Sequence, residues 1–194
     1  MILERQQHTP DAAATVDVIY RGRAVRDYAP GRIDQGTVRH LLEAAVQAPT
    51  ARDEQPWAFA IVQDKATLNR LSDNIKSTLT SSRDPLYPQR MGPAVDFNAF
   101  YNASTLIVIC AKPMGEFVAA DCWLAAQTLM LAAFEKGLET CVIGLAVVAL
   151  NTPEWKKTLE IPAEMMAVAP MILGLPAGNM SPLANRRPQI LSWK

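Results

Sequence analysis

Apolar positions in this chain recur first at helical spacing. Val16, Ile19 and Tyr20 share a face behind Asp11, a favourable N-cap, with Arg21 in the last turn and Gly22 just past it, which predicts a helix. A basic loop, residues 23–32, follows. Asp34 offers a second N-cap, with Ile33 and Val38 placed as a hydrophobic staple, and Val38, Leu41, Leu42, Ala45 and Val46 repeat with the helical period until Pro49 stops them. Residues 57–62 are short, apolar and rich in aromatic and β-branched side chains, hence a strand; Asp64 caps the next helix, whose stripe is Leu68, Leu71, Ile75 and Leu79.

The second half reads the same way. Residues 81–95 contain Pro85, Pro88, Gly92 and Pro93, too broken for regular structure and long enough for a lid. Residues 106–110 form a buried strand by length and branching. Residues 117–136 are apolar nearly all round and end at Gly137, so they predict a central helix buried on most sides. A strand near 141–143, a short helix opened by Thr152 and Pro153 around Trp155, and a strand over 168–173 complete the elements. Residues 1–10 read as a mobile tail and 176–194 as an extended C-terminal arm. The alternation implies one layered domain over 1–194, a sheet with helices on both faces.

Composition narrows the function. The 194 residues are 49% hydrophobic, enough for one core without staples. Nineteen Lys and Arg balance nineteen Asp and Glu, which argues against general nucleic-acid binding, where affinity comes from neutralising phosphates. Cys110, Cys122 and Cys141 lie in apolar stretches without a C-x-x-C pair and read as core thiols in a reducing compartment; with only His8 and His40 beside them, a structural metal site is not expected. The longest apolar runs, 106–111 and 141–150, are far shorter than the ~20 residues of a membrane helix, and the first 20 residues lack a secretory apolar core. A cytoplasmic protein with no membrane partner is the expectation. No dinucleotide-binding glycine fingerprint, P-loop or nucleophile elbow is present.

Two segments hold candidate chemistry. Arg21, Arg23 and Arg26 crowd one turn, and guanidinium forks suit bidentate phosphate recognition, although a solvated charge cluster has the same composition. Residues 48–57, Ala-Pro-Thr-Ala-Arg-Asp-Glu-Gln-Pro-Trp, place polar side chains between two prolines ahead of a strand, as an ordinary connection also would.

Together these segments resemble the FMN-dependent nitroreductase family. Arg23-Ala24-Val25-Arg26-Asp27-Tyr28 is similar to that family's phosphate-binding start, and Ala48-Pro49-Thr50 through Gln55-Pro56-Trp57 to its second stretch. A third match is the helix from Asp121 followed by the turn ending at Gly144; a fourth is Arg186-Arg187-Pro188. Four motifs in order, over roughly residues 15–190, are hard to obtain by chance.

The resemblance implies an α+β fold, a three-layer αβα sandwich around a mixed, mostly antiparallel sheet, in an intertwined homodimer. It also implies FMN at the subunit interface, with NAD(P)H as electron donor and nitro compounds, quinones or similar small molecules as acceptors in a ping-pong reaction. Carried over residue by residue, Arg23 and Arg26, with Arg186 or Arg187, hold the FMN phosphate. Pro49, Thr50, Ala51 and Asp53 reach the flavin from the partner subunit, and the backbone at Ile143 and Gly144 passes close to the ring, where glycine permits near approach. Gln55 and Trp57 are structural supports. The sequence departs from the family at three places: Gly22 where many members have arginine, with Arg21 one position away as a substitute; Ala24 for a common serine; and Asp53 for a common asparagine, which exchanges a donor for an acceptor. These departures leave a second reading, a flavin-binding carrier, sensor or interaction protein without turnover.

Overall fold

A computed structural model describes residues 12–81, 98–178 and 186–194. The expectations for the tail at 1–10, for the Asp11 cap, for all of the 81–95 loop except Ser81, and for residues 179–185 of the arm lie outside these.

Helix α1 (Ala12–Arg21) leads into the basic segment, and α2 (Gln35–Ala45) starts where Asp34 accepts from the Thr37 N–H at 2.8 Å. Ile33 and Val38 are both buried in one cluster, as a staple requires. Strand β1 (Trp57–Val62) is followed by α3 (Lys65–Ser81), capped by Asp64 through the Thr67 N–H at 2.7 Å. Then come β2 (Thr105–Ala111), the long α4 (Val118–Glu135), β3 (Glu139–Val142), α5 (Ala146–Leu150), α6 (Pro153–Thr158) and β4 (Met166–Gly174). No helix among the described residues is long and apolar enough to cross a membrane.

The sheet order is β1-β2-β4-β3, with every adjacent pair antiparallel. Among the described residues its parallel component is one bridge, between Ala24 and Thr140 at the β3 edge. Strand alternation divides the core: Leu106, Val108 and Cys110 pack with Leu68, Leu71 and Ile75 of α3, whereas Ile107, Ile109 and Ala111 pack with α2 and with Cys122, Ala126 and Leu129 of α4. Three layers result. All seven residues of β2 are buried, and each large aliphatic among them contributes about 1.5–3 kcal/mol.

Between Ile109 and Cys110 the register with β4 jumps from Ala169 to Ala167, so Val168 is an extra residue in a bulge. Asn151 secures the bulge, accepting from the Ala167 N–H at 3.0 Å and donating to the Ala167 carbonyl at 2.9 Å.

The segment from Ala24 to Ile33 crosses one end of the sheet. It bridges Thr140 of β3, then pairs Tyr28 with Pro176 beyond β4, and reaches β1, where Gln63 donates to the Ile33 carbonyl at 2.7 Å. Thus a basic loop in sequence becomes a strap joining both sheet edges.

Helix α4 departs from its expected burial, and α1 also leaves apolar surface exposed. The apolar face of α1 is open, with Tyr20 73% exposed. Helix α4 buries one face only: Trp123 and Leu124, 43% and 45% exposed, point away from the sheet, as Phe117 does at its start. Both helices form where their periodicity places them, yet nothing among the described residues covers these faces. Residues 186–194 hold no helix or strand and expose Leu191 and Trp193 almost completely.

Candidate functional site

The strap carries the arginines to the β3 edge. The Val25 N–H donates to the Thr140 carbonyl at 3.1 Å, and the buried Tyr28 hydroxyl donates to the Val25 carbonyl at 2.7 Å, so the backbone between Arg23 and Arg26 is pinned from both sides. Arg21 pairs with Asp17 at 2.9 Å on the exposed face of α1 and lies 5.5 Å over the Phe134 ring. Arg23 is half-buried, its Nε donating to the Arg21 carbonyl at 3.2 Å; Ala24 and Arg26 face solvent.

Two titratable groups of β3 sit beneath them. Glu139 is buried, which pushes its carboxyl above the ordinary range, while the Arg23 guanidinium opposes that rise. Burial also raises the Cys141 thiol, against the pull of Arg26. Cys110 and Cys122, deeper in the core, are pushed to about 11 and about 12. These are core thiols, protonated at neutral pH and weak nucleophiles.

The second cluster, 49–53, lies elsewhere. Thr50 and Ala51 are half-buried and Pro49 and Asp53 exposed, and a 3-10 turn (Ala51–Asp53) is held at the start of α4, where the buried Asp121 carboxylate accepts from the Ala51 N–H at 3.3 Å to each oxygen. Arg52, Asp53 and Gln55 have φ of 53°, 56° and 47°, three left-handed residues without a glycine, interrupted only by Glu54 at φ −71°. Such conformations cost of order 1–3 kcal/mol each and persist where surrounding contacts enforce them. Here Gln55 Nε2 donates to Asp53 Oδ1 at 3.0 Å, and the Gln55 N–H to the Thr50 hydroxyl at 3.4 Å. Trp57, beyond the loop, is buried in the core.

Just past β3, Ile143 is buried and donates its N–H to the Pro170 carbonyl at 2.9 Å; Gly144 is exposed, with open space where a side chain would stand. The turn lies three residues beyond Thr140, on the strand that carries the strap. Arg186 and Arg187 are exposed on the arm.

The structure therefore joins Arg21, Arg23, Ala24 and Arg26 to the β3 edge that leads into Ile143 and Gly144, and it does not bring Pro49–Asp53 to them. Phe134, under Arg21, follows Asp121, under Ala51, by thirteen residues of one helix, an axial separation of about 20 Å. The two halves stand at opposite ends of α4.

Sequence reasoning assigned no role to Asp121 or Glu139. The available signal was an acidic residue inside an otherwise apolar helix and another at the start of a buried strand, positions that carboxylates occupy only when paired or functionally engaged.

Comparison with known proteins matches this architecture. A protein of Archaeoglobus fulgidus provisionally named NADH dehydrogenase/NAD(P)H nitroreductase is 27% identical over 165 residues, covering 82% of this chain and 83% of its own. The 5,6-dimethylbenzimidazole synthase of Rhodospirillum rubrum is 28% identical over 178 residues, covering 83% and 82%. The crystal structure of a nitroreductase with bound FMN from Desulfitobacterium hafniense superposes with a TM-score of 0.83 at 23% identity, over 93% of this chain and 98% of that one. The nitroreductase family model matches residues 19–175, a span that contains the strap, the 49–53 turn, all of α4 and the whole sheet, and the chain belongs to the nitroreductase family.

Proposed function

We propose that the protein is an FMN-dependent NAD(P)H oxidoreductase acting as a homodimer, with each flavin site built from two chains. The observation that carries this reading is the placement of the two site halves at opposite ends of α4, combined with the uncovered apolar faces of α1, α4 and the C-terminal arm. A second copy covers those faces and brings its 49–53 turn to the first copy's arginines.

The donor set fits FMN. Three guanidiniums within six residues, on a backbone pinned by Thr140, suit a phosphate dianion, each charge-assisted hydrogen bond contributing about 1.5–3 kcal/mol. Arg23 and Arg26, with Arg21 in place of the residue lost at Gly22 and with Arg186 or Arg187, hold the phosphate. The backbone at Ile143 and Gly144 would help hold the flavin, and Pro49, Thr50, Ala51 and Asp53 of the second copy would complete the site. Bound FMN would supply the redox chemistry, taking a hydride from NAD(P)H and passing it to a nitro compound, quinone or similar acceptor in alternation. The protein's own task is binding, orientation and exclusion of water, and no side chain need act as general acid or base.

The test is an anaerobic absorbance experiment on purified protein carrying FMN. NADH or NADPH bleaches the flavin of a reductase within seconds, and a nitro compound or quinone restores it. Persistent yellow colour with both nucleotides would make the protein a flavin-binding module, and failure to take up FMN would remove both readings.

A further inference from the structure

Beneath the strap, at the sheet end where β1 finishes and β2 begins, lies a cavity of about 420 Å³. That size falls in the ordinary range for small-molecule sites, about 300–1,000 Å³. Among the described residues its charged lining groups are Arg32 and Lys65, no carboxylate lines it, and neither cation has an ion-pair partner. Leu68 and Phe100, both buried, form an apolar wall.

Ser104 is the telling residue. It lines the cavity, and its hydroxyl is shut off from solvent without a hydrogen-bond partner among the described residues. Native structures seldom leave such a group unsatisfied without a bound water, ion or ligand. The turn delivering it is strained, since Tyr101 and Asn102 have φ of 50° and 58°. Gln63 holds the opposite wall rigid, donating to the Ile33 carbonyl at 2.7 Å and to the Thr105 hydroxyl at 3.0 Å.

This cavity is separate from the arginine cluster. Ala24 meets β3 and Ile33 meets β1, at opposite edges of the four-stranded sheet, three strand spacings or about 14 Å apart. The cavity also opens on the α3 side of the sheet, whereas Arg21 lies against α4.

We propose that the cavity is a second binding site, for a small organic anion with a compact apolar or planar body and one carboxylate or phosphate group. Arg32 and Lys65 take the anionic group, the Ser104 hydroxyl and the Asn69 and Asn102 amides take its remaining polar atoms, and Phe100 and Leu68 cover the body. The assignment is independent of the flavin reading.

The test uses the full-length, 15N-labelled protein saturated with FMN, titrated with sodium benzoate, inorganic phosphate and neutral benzamide. Benzoate or phosphate should shift the backbone amides of Lys65, Asn102 and Ser104 saturably, and benzamide should not; the stronger of the two anions identifies the anionic group. The Arg32→Gln/Lys65→Gln protein should bind the better anion at least tenfold more weakly, with Ser104→Ala intermediate. If the double variant loses its dispersed spectrum, Arg32→Gln alone serves. No saturable shift with either anion, an equal response to benzamide, unchanged affinity in a folded variant, or shifts confined to Arg21–Arg26 would each overturn the proposal.

Discussion

The Asp121 carboxylate and the Ala51 N–H meet across 70 residues of sequence, and through them the first turn of α4 holds the 49–53 turn in place. Asp121→Ala removes a buried acceptor and leaves that N–H unpaired, a loss of about 1–3 kcal/mol. Thermal unfolding should register it, and FMN affinity should fall as well because the turn loses its anchor. Asp121→Asn keeps an acceptor oxygen and should recover most of both.

Arg26→Ala should weaken FMN binding about ten- to a hundredfold, the equivalent of one charge-assisted phosphate contact. Arg39→Ala, on the exposed side of α2, is the matched control and should change little. Fluorescence titration of the apoprotein with FMN measures both, and equal losses would reject the phosphate assignment.

Asp53→Asn should raise the flavin midpoint by roughly 30 mV, the two-electron equivalent of gaining one ordinary hydrogen bond of ~1.4 kcal/mol. Gln55 engages only Oδ1 of the carboxylate, which has no ion pair with Arg52 among the described residues, so Oδ2 can act on a cofactor. A redox titration decides; a midpoint unmoved or lowered removes the tuning role.

Glu139 gives a pH signature. Its folded pKa is raised by burial, so the folded state binds the proton more tightly than the unfolded chain, and stability declines as pH climbs from the unfolded carboxyl value through the folded one. Glu139→Gln has no such loss. The variant's melting temperature relative to the parent should therefore be higher at pH 7 than at pH 4, measured on the apoprotein. A difference independent of pH would show that Glu139 is not the titrating group.

Sedimentation at micromolar concentration should give a species of twice the chain mass. Trp123→Asp, placing a charge on the uncovered face of α4, should shift it toward monomer.

Much of this was legible because the signals were local. Asp34 and Asp64 cap the helices they precede, and β1 occupies the six residues that its composition marks. What escaped was set at a distance. Five-residue α5 is too short to show a period, so it merged with the apolar run after β3. The bulge at Val168 depends on pairing with β2 and on Asn151, and nothing in residues 168–173 alone announces it. Apolar periodicity located α1 and α4 correctly but could not say what covers them, since Val16, Ile19 and Trp123 have the same pattern whether they meet their own sheet or another chain. For the candidate site, motif order brought both halves into view, while the helix length that separates them appeared only in three dimensions.

That separation along α4 makes the two halves of a site genetically distinct. On the two-chain reading, a chain with Arg26→Ala keeps a sound 49–53 turn to lend, and a chain with Asp121→Ala keeps sound arginines. Each is defective alone, because a homodimer of either damages both of its sites. Expressed together they form mixed dimers in which one site collects both lesions and the other collects neither, so two weakened chains complement one another and restore full flavin binding at one site in each mixed pair. A site built within a single chain could never be rescued in that way.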